Sequence, residues 1–209
     1  MTRVILVRHG ESEGNLQRLF RGRCDFPLTP RGVEQARALR DELANFNIDA
    51  IYTSPLQRAL KTAEIINERH NVPIFKEDGF INIDLGEWQG KPRIEIERNY
   101  PELWKLWITT PEELHIKGGE PLDNVQRRAY NTLVKLIRNH TDGTIVIVTH
   151  RAVLKPLIAR AIGIAKPYFW KIHIDTASYS ILEYTDERGF YLTLLNQTKH
   201  LHEFIRELT

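Results

Sequence analysis

The sequence predicts an α/β fold with a mostly parallel central sheet flanked by helices. Apolar runs of strand length alternate with helical patterns, which is typical of parallel strands joined by right-handed crossovers. Residues 144–148 form a continuous β-branched run, the pattern of a strand buried on both faces. The 209 residues are enough to bury a sizeable core, and we expect one domain over residues 1–209.

The first half of the chain predicts three strands separated by two helices. The strands are expected at residues 3–7, 49–53 and 72–75. A hydroxyl residue followed by proline, at Thr29-Pro30 and again at Ser54-Pro55, predicts the start of each helix, because the hydroxyl caps the helix and proline suits its first position. Residues 11–26 show no helical or strand period and are rich in Gly, Asn and Arg, which predicts a functional loop.

At the start of the second half, the alternation of strand and helix patterns is interrupted. Residues 78–121 hold three tryptophans between glycine-rich ends, and we expect an excursion beside the sheet that is partly helical after Pro101. Helical periodicity returns on either side of the β-branched run. The remaining elements are helices over 122–140 and 152–162 and a hairpin of 177–184 with 190–196, at or near a sheet edge.

The composition is that of an ordinary globular chain. Hydrophobic residues make up 42% and the net charge is +2, which gives no reason to expect nucleic acid or an anionic membrane as partner. Cys24 is the only cysteine, which suits a reducing compartment. No apolar run approaches the roughly 20 residues that span a bilayer, and the N-terminal run is too short for a signal peptide. We therefore expect a cytoplasmic protein.

Basic residues follow three of the predicted strands. Arg8 and His9 end the first strand, Arg58 lies on the helical turn after the second, and His150 ends the β-branched run. Because the carboxyl ends of parallel strands share one sheet edge, these side chains are expected to converge, although each alone would more often be structural. Two arginines and two histidines suit a dianion such as phosphate, with neutral His9 as nucleophile. Neither histidine has carboxylate or thiolate companions at ligand spacing, so no metal and no cofactor are expected.

The order and content of the motifs along nearly the whole chain resemble the histidine phosphatase superfamily, in its phosphoglycerate-mutase-like branch. The resemblance rests on Leu-Val-Arg-His-Gly-Glu-Ser at 6–12 with Asn15, Asp-Phe-Pro-Leu-Thr at 25–29, Ser-Pro-Leu-Gln-Arg-Ala at 54–59, Gly-Glu-Trp-Gln-Gly at 86–90, Gly-Gly-Glu at 118–120 and Val-Thr-His at 148–150. It implies a three-layer sandwich and a metal-independent mechanism through a phosphohistidine at His9. Arg8, Arg58 and His150 would hold the phosphoryl oxygens, assisted by Asn15.

One departure from the family pattern concerns proton transfer. The family usually carries a glutamate four residues before the first glycine of the Gly-x-Trp-x-Gly segment, as acid and later base, and this chain has Asn82 there. An amide cannot hand over a proton. Three explanations stay open: Asp84 has taken over the role, the chain is a weak enzyme or a phosphate-binding pseudo-enzyme, or Asn82 is an introduced substitution. Asp84 could equally be a structural turn carboxylate.

Two smaller departures add positive charge. Arg21 stands where glutamine is common before Gly22, and Arg151 stands where a small residue usually follows the second histidine. Both are expected near the phosphate site together with Gly22, or as solvated surface residues.

This chain is shorter than the cofactor-dependent mutases that it resembles usually are, which favours a phosphatase. A phosphoglycerate mutase remains an alternative. Stretches 175–180 and 195–201 are similar to bacterial metal-independent phosphoserine phosphatases, in which a tail histidine helps recognise the substrate; His200 matches that position, although a tail histidine is by default exposed. The expected substrate is a small phosphorylated metabolite, L-phosphoserine first, then a sugar, glycolytic or α-ribazole-type phosphate. The alternative from another class is a non-catalytic phosphometabolite-binding subunit. The hairpin edge also allows a homodimer.

Overall fold

The computed structural model describes residues 1–202 and is built around a six-stranded sheet. The strands are β1 (Thr2–Arg8), β2 (Ala50–Thr53), β3 (Ile74–Lys76), β4 (Thr144–Thr149), β5 (Tyr179–Thr185) and β6 (Gly189–Gln197). Their order in the sheet is β3-β2-β4-β1-β5-β6. Strands β1 to β4 are parallel, and β5 pairs antiparallel with both β1 and β6. The predicted α/β fold with a mostly parallel sheet is confirmed.

Helices cover both faces of the sheet and make the three layers. The described helices are α1 (Glu13–Leu16), α2 (Pro30–Leu43), α3 (Gln57–Asn67), α4 (Arg93–Asn99), α5 (Pro101–Thr109), α6 (Leu122–Asn139) and α7 (Arg151–Ala161). Apolar side chains of α2 and α3 pack on one face, and those of α6, α7 and the excursion pack on the other. None of the helices within residues 1–202 has the length and apolar character to cross a membrane.

Strand β1 is apolar at every central position because both of its faces are covered. Val4 and Leu6 face the α6–α7 side, whereas Ile5 and Val7 face the α2–α3 side. All four side chains are buried. Period-2 alternation thus distributes one continuous apolar run between two cores, as expected for a central parallel strand.

The two predicted helix starts have different outcomes. Thr29 caps α2 as predicted, since its hydroxyl accepts a hydrogen bond from Gly32 N and Pro30 occupies the first helical position. The prediction for Ser54-Pro55 is wrong, because α3 begins at Gln57 with Leu56 in the capping position. The Ser54 hydroxyl instead lies 2.8 Å from the His150 ring.

Three further boundaries differ from the sequence expectation. The predicted loop 11–26 contains the single-turn helix α1. The excursion becomes helical already at Arg93, before Pro101, and β3 is shifted to Ile74–Lys76. These segments are short, so neighbouring packing rather than local periodicity sets their limits. The hairpin is confirmed: β6 lies at the sheet edge with β5 beside it.

Candidate active site

A cleft opens at the carboxyl ends of β1 and β4, the edge where parallel sheets bind ligands. Its empty volume is about 510 Å³, a figure that includes the open solvent at its mouth. The polar lining residues are Arg8, His9, Arg21, Asn82, Arg93, His150 and Arg151, and the apolar walls include Phe20, Trp107 and Phe169. The structure therefore brings together most of the predicted basic residues.

His9 is fixed through its backbone and its ring. Its N–H donates to Thr149 O (3.0 Å), and its carbonyl accepts from Ala177 N (3.1 Å). Ring nitrogen Nδ1 lies 2.6 Å from Gly10 O, which can only accept a hydrogen bond, so Nδ1 carries the proton. Nitrogen Nε2 then keeps its lone pair and can act as the nucleophile.

His150 lies against His9 at the neighbouring strand end. The two ring centroids are 5.1 Å apart with the planes inclined at 62°. The His150 ring is held through Nε2, which is 2.8 Å from Ser54 Oγ. The convergence follows from register, since Arg8 of β1 is paired with Thr149 of β4.

Arg8 and Arg58 are fully buried and anchored by backbone carbonyls. Arg8 Nη1 donates to Ile174 O at 2.8 Å. Arg58 donates from Nη1 to Cys24 O (2.8 Å) and from Nη2 to Gly22 O (2.9 Å). Burial, reinforced by the charge of Arg21, lowers the pKa of Arg58 to about 9, so it remains cationic at neutral pH. Fixed guanidinium groups of this kind are suited to a phosphoryl group.

These arginines set the protonation of both histidines. Burial first, and then the charge of Arg58, holds the pKa of His9 and of His150 well below the usual value of 6.5. Both rings are therefore neutral at physiological pH, as a nucleophilic imidazole must be. The positive charge of these arginines favours an anion in the cleft.

Asn82 occupies the cleft wall in a defined orientation. Its Nδ2 donates to Gly22 O at 2.8 Å, and Gly22 adopts the left-handed conformation (φ 48°) that glycine favours. The same carbonyl accepts from Arg58. Asn82 Oδ1 is buried without a hydrogen-bond partner. It offers the cleft an acceptor oxygen and no titratable proton.

Asp84 does not line the cleft. Its Oδ1 accepts from Gly86 N at 2.9 Å, and its Oδ2 lies 3.7 Å from Arg23 Nη1. This geometry is that of a carboxylate closing a turn. The placement disfavours the expectation that Asp84 replaces the missing acid, because its oxygens are committed elsewhere.

The remaining candidates divide into two groups. Arg21, Gly22 and Arg151 line the cleft as expected, with the Arg151 guanidinium 5.6 Å from the Trp170 ring centre. Asn15 and His200 are not among the lining residues. Asn15 Oδ1 accepts from Ser12 N and Oγ, and His200 Nε2 donates to Ala177 O at 2.9 Å. His200 is half-buried rather than exposed.

Arg93 is a cleft residue that sequence reasoning missed. It begins α4, and it reaches the cleft because residues 18–20 pair with residues 90–93 through Phe20 N to Lys91 O and Gly90 N to Phe20 O. No local period encodes that contact. Within residues 1–202, no group of three or more His, Cys, Asp or Glu side chains is arranged to hold a metal ion.

The neutral histidines predict acid sensitivity of the fold. Unfolded histidine has a pKa near 6.5 and folded His150 a lower one, so the unfolded state binds more protons between these values. The free energy of unfolding should fall as pH drops below 6.5, by up to about 1.4 kcal/mol per pH unit for each such histidine. Urea unfolding at several pH values measures this.

The matched variants are His150→Gln and His115→Gln. His150→Gln should weaken the dependence of the unfolding free energy on pH. His115→Gln, at an exposed site, should leave that dependence as it is. An unchanged slope in His150→Gln would contradict a neutral buried imidazole.

Comparisons with known proteins agree on one family. A family model described as the histidine phosphatase superfamily (branch 1) matches residues 4–198. Phosphoserine phosphatase 1 of Hydrogenobacter thermophilus is 37% identical over 207 residues, covering 99% of this chain and 98% of that protein.

Solved structures give the same picture. Bacillus stearothermophilus YhfR is similar with a TM-score of 0.91 and 32% identity, covering 96% of this chain and 99% of that one. A phosphoserine phosphatase mutant from Entamoeba histolytica in complex with phosphoserine has a TM-score of 0.84 and 29% identity, covering 96% and 100%.

Proposed function

The chain belongs to the histidine phosphatase superfamily, branch 1, and is a phosphatase; from this premise we propose that it hydrolyses a small phosphorylated metabolite through a phosphohistidine at His9. The observation that carries the proposal is the neutral His9 ring, with Nδ1 bonded to Gly10 O and Nε2 unprotonated, beside His150 and two buried arginines. A lone pair fixed next to an anion-binding pocket is what nucleophilic catalysis needs.

The roles follow from position. His9 Nε2 attacks phosphorus, while Arg8, Arg58 and His150 hold the phosphoryl oxygens and offset the charge that develops on them. Their fixed orientations mean that little reorganisation is needed during transfer. No step calls for a metal ion.

L-Phosphoserine is our first candidate substrate. It is the compound bound by the similar Entamoeba histolytica protein, and the relative at 37% identity is named a phosphoserine phosphatase. Arg93 and Arg151 add positive charge to the cleft beyond that of Arg8, which supports a substrate with a second anionic group such as a carboxylate.

The second candidate is a non-catalytic phosphometabolite-binding subunit, which Asn82 favours. To separate the two, the protein is incubated with phosphoserine and p-nitrophenyl phosphate in the presence of chelator. We expect orthophosphate release that chelator does not inhibit. Phosphate binding by calorimetry without any release would support the binding subunit instead, and transfer to a second position of a phosphoglycerate without net release would indicate a mutase.

Two properties of the molecule complete the proposal. We place the protein in the cytoplasm, because Cys24 is its only cysteine. We also propose a homodimer through the β6 edge, which is the last strand of the sheet. Sedimentation velocity gives the oligomeric state.

A further inference from the structure

The cleft contains bases and permanent cations but no carboxyl group among residues 1–202. Within these residues, the titratable side chains that line the cleft belong to two histidines and four arginines, namely Arg8, Arg21, Arg93 and Arg151. A guanidinium keeps its proton at neutral pH. The lining groups able to exchange a proton with a leaving oxygen are therefore the two imidazoles.

Neither imidazole is placed to act as an acid. The Nδ1 proton of His9 is used in the bond to Gly10 O, and its Nε2 is the attacking atom. His150 Nε2 is 2.8 Å from Ser54 Oγ and its Nδ1 has no hydrogen-bond partner, but the ring is buried against His9, and this burial together with the charge of Arg58 lowers its pKa and keeps it neutral. A neutral imidazole is a good acceptor of protons and a very weak donor.

Three carboxylates of the neighbouring segments are committed to structure. Glu11 Oε1 accepts from Thr29 Oγ1 at 2.8 Å. Glu120 pairs with Arg128 at 2.8 Å and Asp84 with the Gly86 amide. None of the three lines the cleft.

Asn82 fills the wall position that could have held an acid. Asn82 is 8% exposed. Its Nδ2 donates a hydrogen bond to Gly22 O, and its Oδ1 has no hydrogen-bond partner. It can accept a hydrogen bond from a substrate hydroxyl or an attacking water, but it cannot give the leaving oxygen a proton.

Resting on the proposed phosphohistidine chemistry, we propose that this cleft is selective for phosphoryl compounds whose leaving oxygen departs as a stable anion, as in acyl and aryl phosphates. Phosphoserine, the first candidate by similarity, can bind in the cationic cleft and is hydrolysed, but as an alkyl phosphate it reacts far more slowly than an acyl or aryl phosphate. The selectivity lies in the leaving group rather than in the shape of the substrate.

The steps balance without a protein acid. The Nε2 lone pair of His9 forms the N–P bond while the P–O bond breaks, and the leaving oxygen keeps the electron pair as a carboxylate or phenolate. The ring is then a cationic phosphoimidazolium. Water next forms an O–P bond, the N–P pair returns to Nε2, and both water protons leave on the orthophosphate. Because no carboxylate of the described part of the chain lines the cleft to remove a proton from this water, we expect the second step to be slow for every substrate.

The test is the dependence of kcat/KM on leaving-group pKa. Substituted phenyl phosphates, acetyl phosphate and L-phosphoserine are compared for the unmodified protein and for the variants Asn82→Glu and Asn82→Gln, with chelator present. Glutamine has the length of glutamate without its proton, so the pair isolates acid catalysis. Asp84→Asn is the control for the neighbouring carboxylate.

We expect log kcat/KM to fall steeply with leaving-group pKa in the unmodified protein, in Asn82→Gln and in Asp84→Asn. Asn82→Glu should flatten the slope and raise kcat/KM for phosphoserine by about 10²–10⁴-fold over Asn82→Gln, the usual worth of acid–base catalysis. A burst of p-nitrophenol, one per active site, should precede steady turnover in the unmodified protein.

A shallow dependence of log kcat/KM on leaving-group pKa in the unmodified protein would overturn the inference. This measurement needs no variant, so it decides the question even if a variant fails to fold. It would mean that another group, such as protonated His150 or a glutamate of the undescribed tail (Glu203 or Glu207), supplies the proton. Turnover would still support the proposed phosphatase. Absence of turnover with acetyl and p-nitrophenyl phosphate as well would overturn the proposed function itself.

Discussion

Replacing His9 by alanine should abolish phosphatase activity, with a loss on the order of the 10⁶-fold seen when a covalent nucleophile is removed. The variant keeps Arg8, Arg58 and His150, which are anchored independently of the His9 ring by Ile174 O, Gly22 O and Ser54 Oγ. Phosphate should therefore still bind. Steady-state kinetics with p-nitrophenyl phosphate, and calorimetry with inorganic phosphate, measure the two properties separately.

The same substitution tests the intermediate. Brief incubation of the unmodified protein with ³²P-labelled substrate, followed by alkaline quench, should give an acid-labile phosphohistidine. His115→Ala, at an exposed position, is the matched control and should label normally. Labelling that persists in His9→Ala would exclude His9 as the acceptor.

Gly32→Ala should damage both stability and activity, although alanine is the better helix former by about 1 kcal/mol. A Cβ at Gly32 would lie far too close to Glu11 O, and a Cβ at Gly10 would likewise clash with Gly32 O. The first turn of α2 and the segment after His9 are thus in backbone-to-backbone contact. Overpacking here should cost about 1–3 kcal/mol or more, because backbone rather than a side chain must move.

The displaced segment is the one that positions His9, the proposed nucleophile, so kcat should fall together with the melting temperature. Glu34→Ala, an exposed position in the same helix, serves as control for helix propensity. If Gly32→Ala melted and turned over like Glu34→Ala, the close contact would not be needed for the geometry of His9.

Register explains why much of the cleft could be predicted from sequence. Arg8, His9 and His150 follow apolar runs that must be central strands, and parallel strands align their carboxyl ends. The need for glycine at positions 10 and 32 could not be predicted from the sequence, because the contact between these two positions joins separate elements.

The misses have a common physical origin. The local sequence predicts a helix cap at Ser54, because capping is a local property, but the Ser54 hydroxyl bonds with His150, which is 96 residues away in the chain. Arg93 enters the cleft only through the pairing of Phe20 with residues 90–91. The commitment of Asp84 to Gly86 and Arg23 is likewise a matter of orientation, which residue spacing does not encode.

The position of β1 between β4 and β5 also shapes how the protein must be made. The strand that carries Arg8 and leads into His9 is synthesised before both of its partners, which begin at Thr144 and Tyr179. While the ribosome adds the intervening residues, this apolar segment has no strand to pair with. Long-range pairing of this kind slows folding and exposes nascent chains to aggregation. The candidate site can thus assemble only after β4 and β5 have been made, which makes early chaperone contact with β1 a benefit.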